Sequence, residues 1–270
     1  MYYDVIMVQK RRWTIKEINI LKHHYPTHSS KDISKYLDRT AKAIRNKALK
    51  LNIKILKRYY GYPIPIKSFD ASSNLSYLIG AIKGDGYLYR SRNSTYIIAL
   101  VVKDFEFVYA VRESIGYITK KFPKISKRIQ KHTMFSAKSE LFRTELSNKS
   151  LFMLLNKKLE NLKPYIEIYP TDFLKGFFDA EGSAWIACNN EPTVKYSNTD
   201  ENLILYVKKL LVSLGIVPSP KIIKECWVYI KGIKILRPKP LYSIYIHRKK
   251  SVRKFMQIIG SSIPRKRLAC

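Results

Sequence analysis

The stretches "YLIGAIKGDGYLY", Tyr77–Tyr89, and "FLKGFFDAEGSAW", Phe173–Trp185, are two versions of one pattern. Aligned, they match Leu78 with Leu174, Gly80 with Gly176, Gly84 with Ala180, Asp85 with Glu181 and Gly86 with Gly182. Each reads as an apolar helix with small residues four apart on one face, ending in an acid and a glycine. A glycine inside a helix costs about 1 kcal/mol relative to alanine, so its place in both copies points to packing. Small residues at that spacing let helix backbones approach closely. Gly80 and Gly176 are therefore expected to seat the two helices on one another.

The correspondence extends beyond the motif. Asp104 follows Asp85 by 19 residues and Asp200 follows Glu181 by 19, and each opens an apolar helical stretch, "DFEFVYAVRESIG" and "DENLILYVKKLLVSLG". An acid at a helix start satisfies free N–H groups and complements the dipole. Between motif and aspartate each half has room for two strands; after the helix come two more strands and a final helix. The unit is αββαββα. The expected fold is α+β, two such repeats at 72–164 and 165–270 forming a pseudo-dimer with two four-stranded antiparallel sheets covered by helices.

Packed side by side in one direction, the two motif helices carry Asp85 and Glu181 to the same end. There the helix dipoles are negative and the carboxylates repel each other, so the arrangement calls for a cation. Oxygen-only ligands suit Mg²⁺ or another hard divalent ion, and metal-assisted phosphodiester hydrolysis is the chemistry such a site serves. A single Asp-Gly is an ordinary turn after a helix; two matched copies favour the paired-acid reading.

The rest of the chain supplies a partner for that chemistry. Its 51 Lys plus Arg against 20 Asp plus Glu leave a formal charge of +31. The excess is spread along the chain: 15 basic and 4 acidic residues in 1–60 (+11), and 36 and 16 in 61–270 (+20). With 20 tyrosines and 11 phenylalanines interleaved among the basic residues, a nucleic acid is the expected partner. No apolar run approaches the ~20 residues of a spanning helix, and an intracellular location, cytoplasmic or organellar, is expected. Cys188, Cys226 and Cys270 have neither disulfide nor zinc spacing. His23, His24 and His28 are read as solvated residues of a polar loop.

From Arg11 to Lys54 the chain reads as three short helices. Thr14 and Glu17 form a capping box for the first; the second covers Ser30 to Leu37 and the third Thr40 to Leu51. The third buries Ile44 and Ala48 and presents Lys42, Arg45, Asn46, Lys47 and Lys50 on its other face, chemistry suited to a major groove. Trp13, "YPTHSSKDISKYL" and "RTAKAIRNKALKL" resemble the Myb/SANT-like helix-turn-helix modules, which implies DNA binding by residues 1–57. Pro63 and Pro65 favour an extended basic linker over 58–71.

The two opening stretches resemble the LAGLIDADG motif, and residues 72–262 resemble the single-chain, two-repeat LAGLIDADG homing endonucleases. The resemblance implies Mg²⁺-dependent cleavage of both strands of a long, specific duplex by a monomeric protein. Carried over by position, it makes Asp85 and Glu181 the metal ligands, with the carbonyls of Gly84 and Ala180 beside them. It implies a lysine near the scissile phosphate at the end of each fourth strand, for which Lys149 in the first half and Lys249 or Lys250 in the second are the candidates. Lys83 departs from the motif at its sixth place, where Asp179 keeps the family's aspartate. Each sheet would face a major groove, and counting alternate residues gives Tyr87, Tyr89, Ser91 and Asn93 on the first and Ser183, Trp185 and Asn189 on the second. The alternative function is an intron RNA-binding maturase without cleavage activity; a regulator built on the helix-turn-helix leaves the repeat unexplained.

Overall fold

The computed structural model describes residues 12–26, 28, 30–53, 69–91, 95–131, 138–187, 190–230 and 233–268. The chain divides into two compact units, Met1–Pro65 and Ile66–Cys270. Most of the expected linker, 58–71, lies outside the described residues.

The first unit holds α1 (Ile15–His24), α2 (Ser30–Leu37) and α3 (Ala41–Lys50) around Leu21, Tyr25, Ile33, Leu37, Ile44 and Ala48. The Thr14–Glu17 capping box starts α1. Glu17 also takes the Arg39 guanidinium at 3.0 Å, and Arg39 lies over the Trp13 ring. Arg39, followed by the Thr14 N–H, holds the Glu17 carboxyl down at about 2. His23 and His24 belong to the last turn of α1 rather than to a loop, with ring centroids 4.9 Å apart and His28 edge-on to His24.

The second unit repeats one order of elements. The first half runs α4 (Ser73–Gly84), β1 (Tyr87–Arg90), β2 (Tyr96–Val102), α5 (Phe105–Thr119), β3 (Ile125–Lys131), β4 (Lys138–Ser147), α6 (Lys149–Leu155) and α7 (Leu159–Ile166). The second runs α8 (Pro170–Glu181), β5 (Gly182–Ile186), β6 (Pro192–Asn198), α9 (Glu201–Ser213), β7 (Ile223–Ile230), β8 (Ile233–Ile246), α10 (Lys249–Ile258) and a 3-10 turn, Pro264–Lys266. The sheets are antiparallel, ordered β1-β2-β4-β3 and β5-β6-β8-β7. The fold is thus α+β with two four-stranded sheets and helices. The single final helix expected of the first half is a pair, α6 and α7, because Asn156 ends α6 and Lys158 opens a new one.

Alternation decides which sheet face packs inward. Ile98 and Leu100 of β2, Val194 and Tyr196 of β6, and Ile244 and Ile246 of β8 are buried in one continuous core with α4, α5, α8, α9 and α10. Tyr196 is fully buried because its hydroxyl donates to the Leu174 carbonyl at 3.0 Å, satisfying the polar atom while its ring packs on Phe177, Phe178 and Phe255. Among the described residues, no helix is long and apolar enough to cross a membrane.

Candidate active site

The helices α4 and α8 pack through their glycines. A Cβ on Gly80 would lie 2.2 Å from the Phe173 carbonyl oxygen and 2.7 Å from the Phe177 nitrogen; one on Gly176 would lie 2.1 Å from the Tyr77 oxygen. One turn on, a Cβ on Gly84 would meet the Ala180 Cβ at 2.3 Å and the Glu181 Cγ at 2.9 Å. The contacts advance together along both helices, so the helices are parallel and end side by side. Gly86 and Gly182 then let each chain fold back on its own helix: added Cβ atoms would strike Ile82 and the Phe178 ring.

This packing delivers Asp85 and Glu181 to one place. Asp85 is the cap residue of α4, its N–H bonded to the Ala81 carbonyl, and Glu181 is the last residue of α8. Glu181 is half-buried. Its carboxyl is pushed up to about 7, by burial first and then by the Asp85 charge, against the opposing effects of Asn198 and Lys266. Asp85 is solvent-exposed as a residue, so its desolvation is partial; burial nonetheless raises its carboxyl, Lys266 opposes the rise and Asp104 adds to it. Asn198 Nδ2 donates to Glu181 Oε1 at 2.8 Å. The residue equally far beyond Asp85 is Val102, so this prop exists in one half alone.

The Asp85 charge raises the proton affinity of Glu181 where two helices end side by side with their negative dipole ends, an arrangement that a cation would relieve. The donor set is all oxygen, which fits Mg²⁺ or Mn²⁺. Among the described residues no cluster of three or more His, Cys, Asp or Glu side chains could hold a metal. Any ion here would therefore draw its remaining ligands from backbone carbonyls, water or phosphate.

The sixth place of each motif ties its helix to the end of its own repeat. Asp179, 2% exposed, accepts from the Tyr77 hydroxyl at 2.7 Å, from the Ser262 N–H at 2.9 Å and from the hydroxyls of Ser261 and Ser262. Lys83 instead donates to the Lys157 carbonyl at 2.9 Å. An anion gathering donors in one half is replaced by a cation reaching an acceptor in the other, which accounts for the departure at Lys83.

The remaining candidates are dispersed. Tyr87 and Tyr89 stack on the open face of the first sheet, with centroids 5.7 Å apart, and Tyr89 joins Arg143 and Glu145 there. Ser91 closes the β1–β2 turn against Thr95; Ser183 and Trp185 lie on the open face of the second sheet. Asn93 and Asn189 lie outside the described residues. Lys42, Arg45, Asn46 and Lys50 are exposed on α3, and Lys47 is half-buried.

The lysines expected beside the acids are not brought to them. β4 runs antiparallel to β2, pairing Phe142 with Val102 and Ser147 with Ile97, so its end lies at the Tyr96–Arg90 end of the sheet, away from Asp85. Lys149 opens α6 there, over the Tyr96 ring. Lys249 and Lys250 are exposed at the start of α10.

One basic residue that the sequence did not single out does reach the site. Lys266, 6% exposed, donates to the carbonyls of Phe178 at 3.0 Å and Asp179 at 2.7 Å. In a chain with 51 basic residues, nothing local marks it.

Residues 169–260 match the family model of the LAGLIDADG-like domain. The chain is 35% identical over 199 residues to the uncharacterized protein MJ0398 of Methanocaldococcus jannaschii, covering 73% of this chain and 69% of that protein. Its structure is similar to that of I-DmoI in complex with DNA and Mn, with 18% identity, a TM-score of 0.47, and coverage of 71% of this chain and 98% of that one. It is also similar to the N-terminal LAGLIDADG domain of DUF199/WhiA, with 19% identity, a TM-score of 0.47, and coverage of 73% and 85%. The chain belongs to the same family as MJ0398, and its second repeat carries a LAGLIDADG-like domain.

Proposed function

We propose that the protein is a site-specific, divalent-metal-dependent homing endonuclease of the LAGLIDADG type that makes double-strand breaks in a long DNA target. The observation that supports this reading is the meeting of Asp85 and Glu181 at the ends of two parallel, glycine-seated helices. Their carboxylates, with the Gly84 and Ala180 carbonyls, would hold the ion. When bound, a divalent cation supplies a Lewis acid that activates water and offsets charge on the leaving oxygen.

The protein's own groups position the substrate. The excess basic charge of residues 61–270 meets the phosphates. The open sheet faces, with Tyr87, Tyr89, Arg143, Ser183, Trp185 and Lys195, address the base edges. Asn198 holds the Glu181 carboxylate in place. In this reading residues 1–57 are a helix-turn-helix that binds flanking DNA through α3, residues 58–71 are its linker, and 72–164 and 165–270 are the two catalytic repeats.

Incubating the full chain with a randomised duplex library and Mg²⁺ tests the reading. Recovery of one long sequence cut on both strands is expected. Tight retention of DNA or intron RNA with no Mg²⁺-dependent cutting of any sequence would move the protein to a binding role, as regulator or maturase.

A further inference from the structure

The paired acids need a positive charge, and the chain brings one of its own. The segment Ser261–Arg267 lies beside the site, anchored to the fold at two points and closed on itself at a third. Ser261 and Ser262 bind the buried Asp179 of α8. The Arg265 guanidinium grips Asp104, at the start of α5 in the other repeat, with bonds of 2.9 and 2.7 Å. Arg267 folds back on the Ser261 carbonyl at 2.8 Å. Asp104 gives its carboxylate to Arg265 instead of capping its own helix, whereas its counterpart Asp200 caps α9 through the Leu203 N–H.

Between these anchors Lys266 is turned inward. Its ammonium reaches two carbonyls at the C-terminal end of α8, where the dipole is negative: that of Asp179, and that of Phe178, which also accepts the Gly182 N–H. Burial lowers the proton affinity of this lysine and the Arg265 charge adds to that effect, while the charges of Asp179, Asp104 and Asp85 favour its ammonium form. In turn it favours the ionised carboxylates of Asp85 and Glu181.

We propose that Lys266 is a resident cation: held by the Ser261–Arg267 strap across the two repeats, it lets Asp85 and Glu181 stand together in the metal-free protein and sets how strongly they draw a divalent ion. The inference rests on the metal-site reading for its second half only. Lys266 is a positioning residue, since its ammonium is committed to two backbone carbonyls.

The test uses the full chain with Lys266→Gln, which keeps donors for the carbonyls and removes the charge, and Lys266→Met, which removes both. In EDTA each variant is expected to melt several degrees below wild type, and adding Glu181→Gln is expected to recover much of the loss, because the unneutralised carboxylate is its source. Mn²⁺, titrated with free ion followed by electron paramagnetic resonance, is expected to bind Lys266→Gln several-fold more tightly than wild type and to shrink its melting deficit. A loss of stability that Glu181→Gln leaves unchanged would overturn the proposal, as would variants that stay unfolded in the Glu181→Gln background and at every Mn²⁺ concentration. Unchanged or weaker Mn²⁺ binding by Lys266→Gln would overturn its second half. Wild type that binds no Mn²⁺, with the Lys266–Glu181 coupling intact, would instead sink the metal-site reading and leave the resident cation standing.

Discussion

Gly80 and Gly176 face one another across α4 and α8 so closely that a methyl group on either would fall within about 2 Å of a backbone oxygen of the other helix. Alanine is the better helix former by about 1 kcal/mol, so propensity and packing pull in opposite directions here. The obstructing atoms are backbone, which cannot rotate aside, and packing wins. Gly80→Ala and Gly176→Ala are each expected to destabilise the second unit by about 2–4 kcal/mol, read from urea unfolding. A neutral or stabilising result would mean that the helices part easily.

The Glu181 carboxyl makes metal-free stability depend on pH. Its proton affinity is raised in the folded state, from 4.5 to about 7, so the folded protein holds this proton more tightly than the unfolded chain. Its contribution is therefore fully present below about pH 4.5 and is lost as pH rises to about 7. With partial solvent screening the change is on the order of 1–2 kcal/mol. Unfolding in EDTA across that window is expected to lose this slope in Glu181→Gln; an identical profile in the variant would contradict the assignment.

Asp179 and Lys83 occupy the same motif place but carry unequal loads. Asp179→Ala strands three buried or half-buried hydroxyls and an N–H, and a cost of at least about 3 kcal/mol is expected. Lys83→Met removes one bond to a carbonyl and is expected to cost about 1 kcal/mol. Paired denaturation curves check the ranking, and equal costs would contradict it.

The basic face of α3 predicts a salt signature. Replacing Lys42, Arg45 and Lys50 together by alanine is expected to weaken binding to a long duplex and to reduce the slope of log affinity against log salt by about 0.9 for each phosphate no longer neutralised. An unchanged slope would remove α3 from the interface.

How much of this was legible in sequence follows from how local each signal is. The repeat, the packing of α4 on α8 and the strand pairs were readable because glycine spacing, helix-starting aspartates and alternation all act within a few residues. The position of Lys149 was not, because strand direction in the finished sheet decides which end of β4 lies near Asp85. α7 was missed because Pro164 sits inside it and discourages a helical reading. Paired acids in a sequence call for a cation and suggest only a metal. Lys266 stayed hidden there, because its bonds to Phe178 and Asp179 join residues 88 and 87 positions apart.

The most direct test of the central claim is the single-turnover cutting rate, at the duplex recovered from the library, of wild type, Asp85→Asn and Glu181→Gln across Mg²⁺ concentrations. Cutting that requires Mg²⁺ and falls at least ~100-fold in each variant, with duplex affinity in EDTA retained, is the predicted result. Cutting that persists in either variant, or that proceeds without a divalent ion, would contradict a mechanism built on the paired carboxylates.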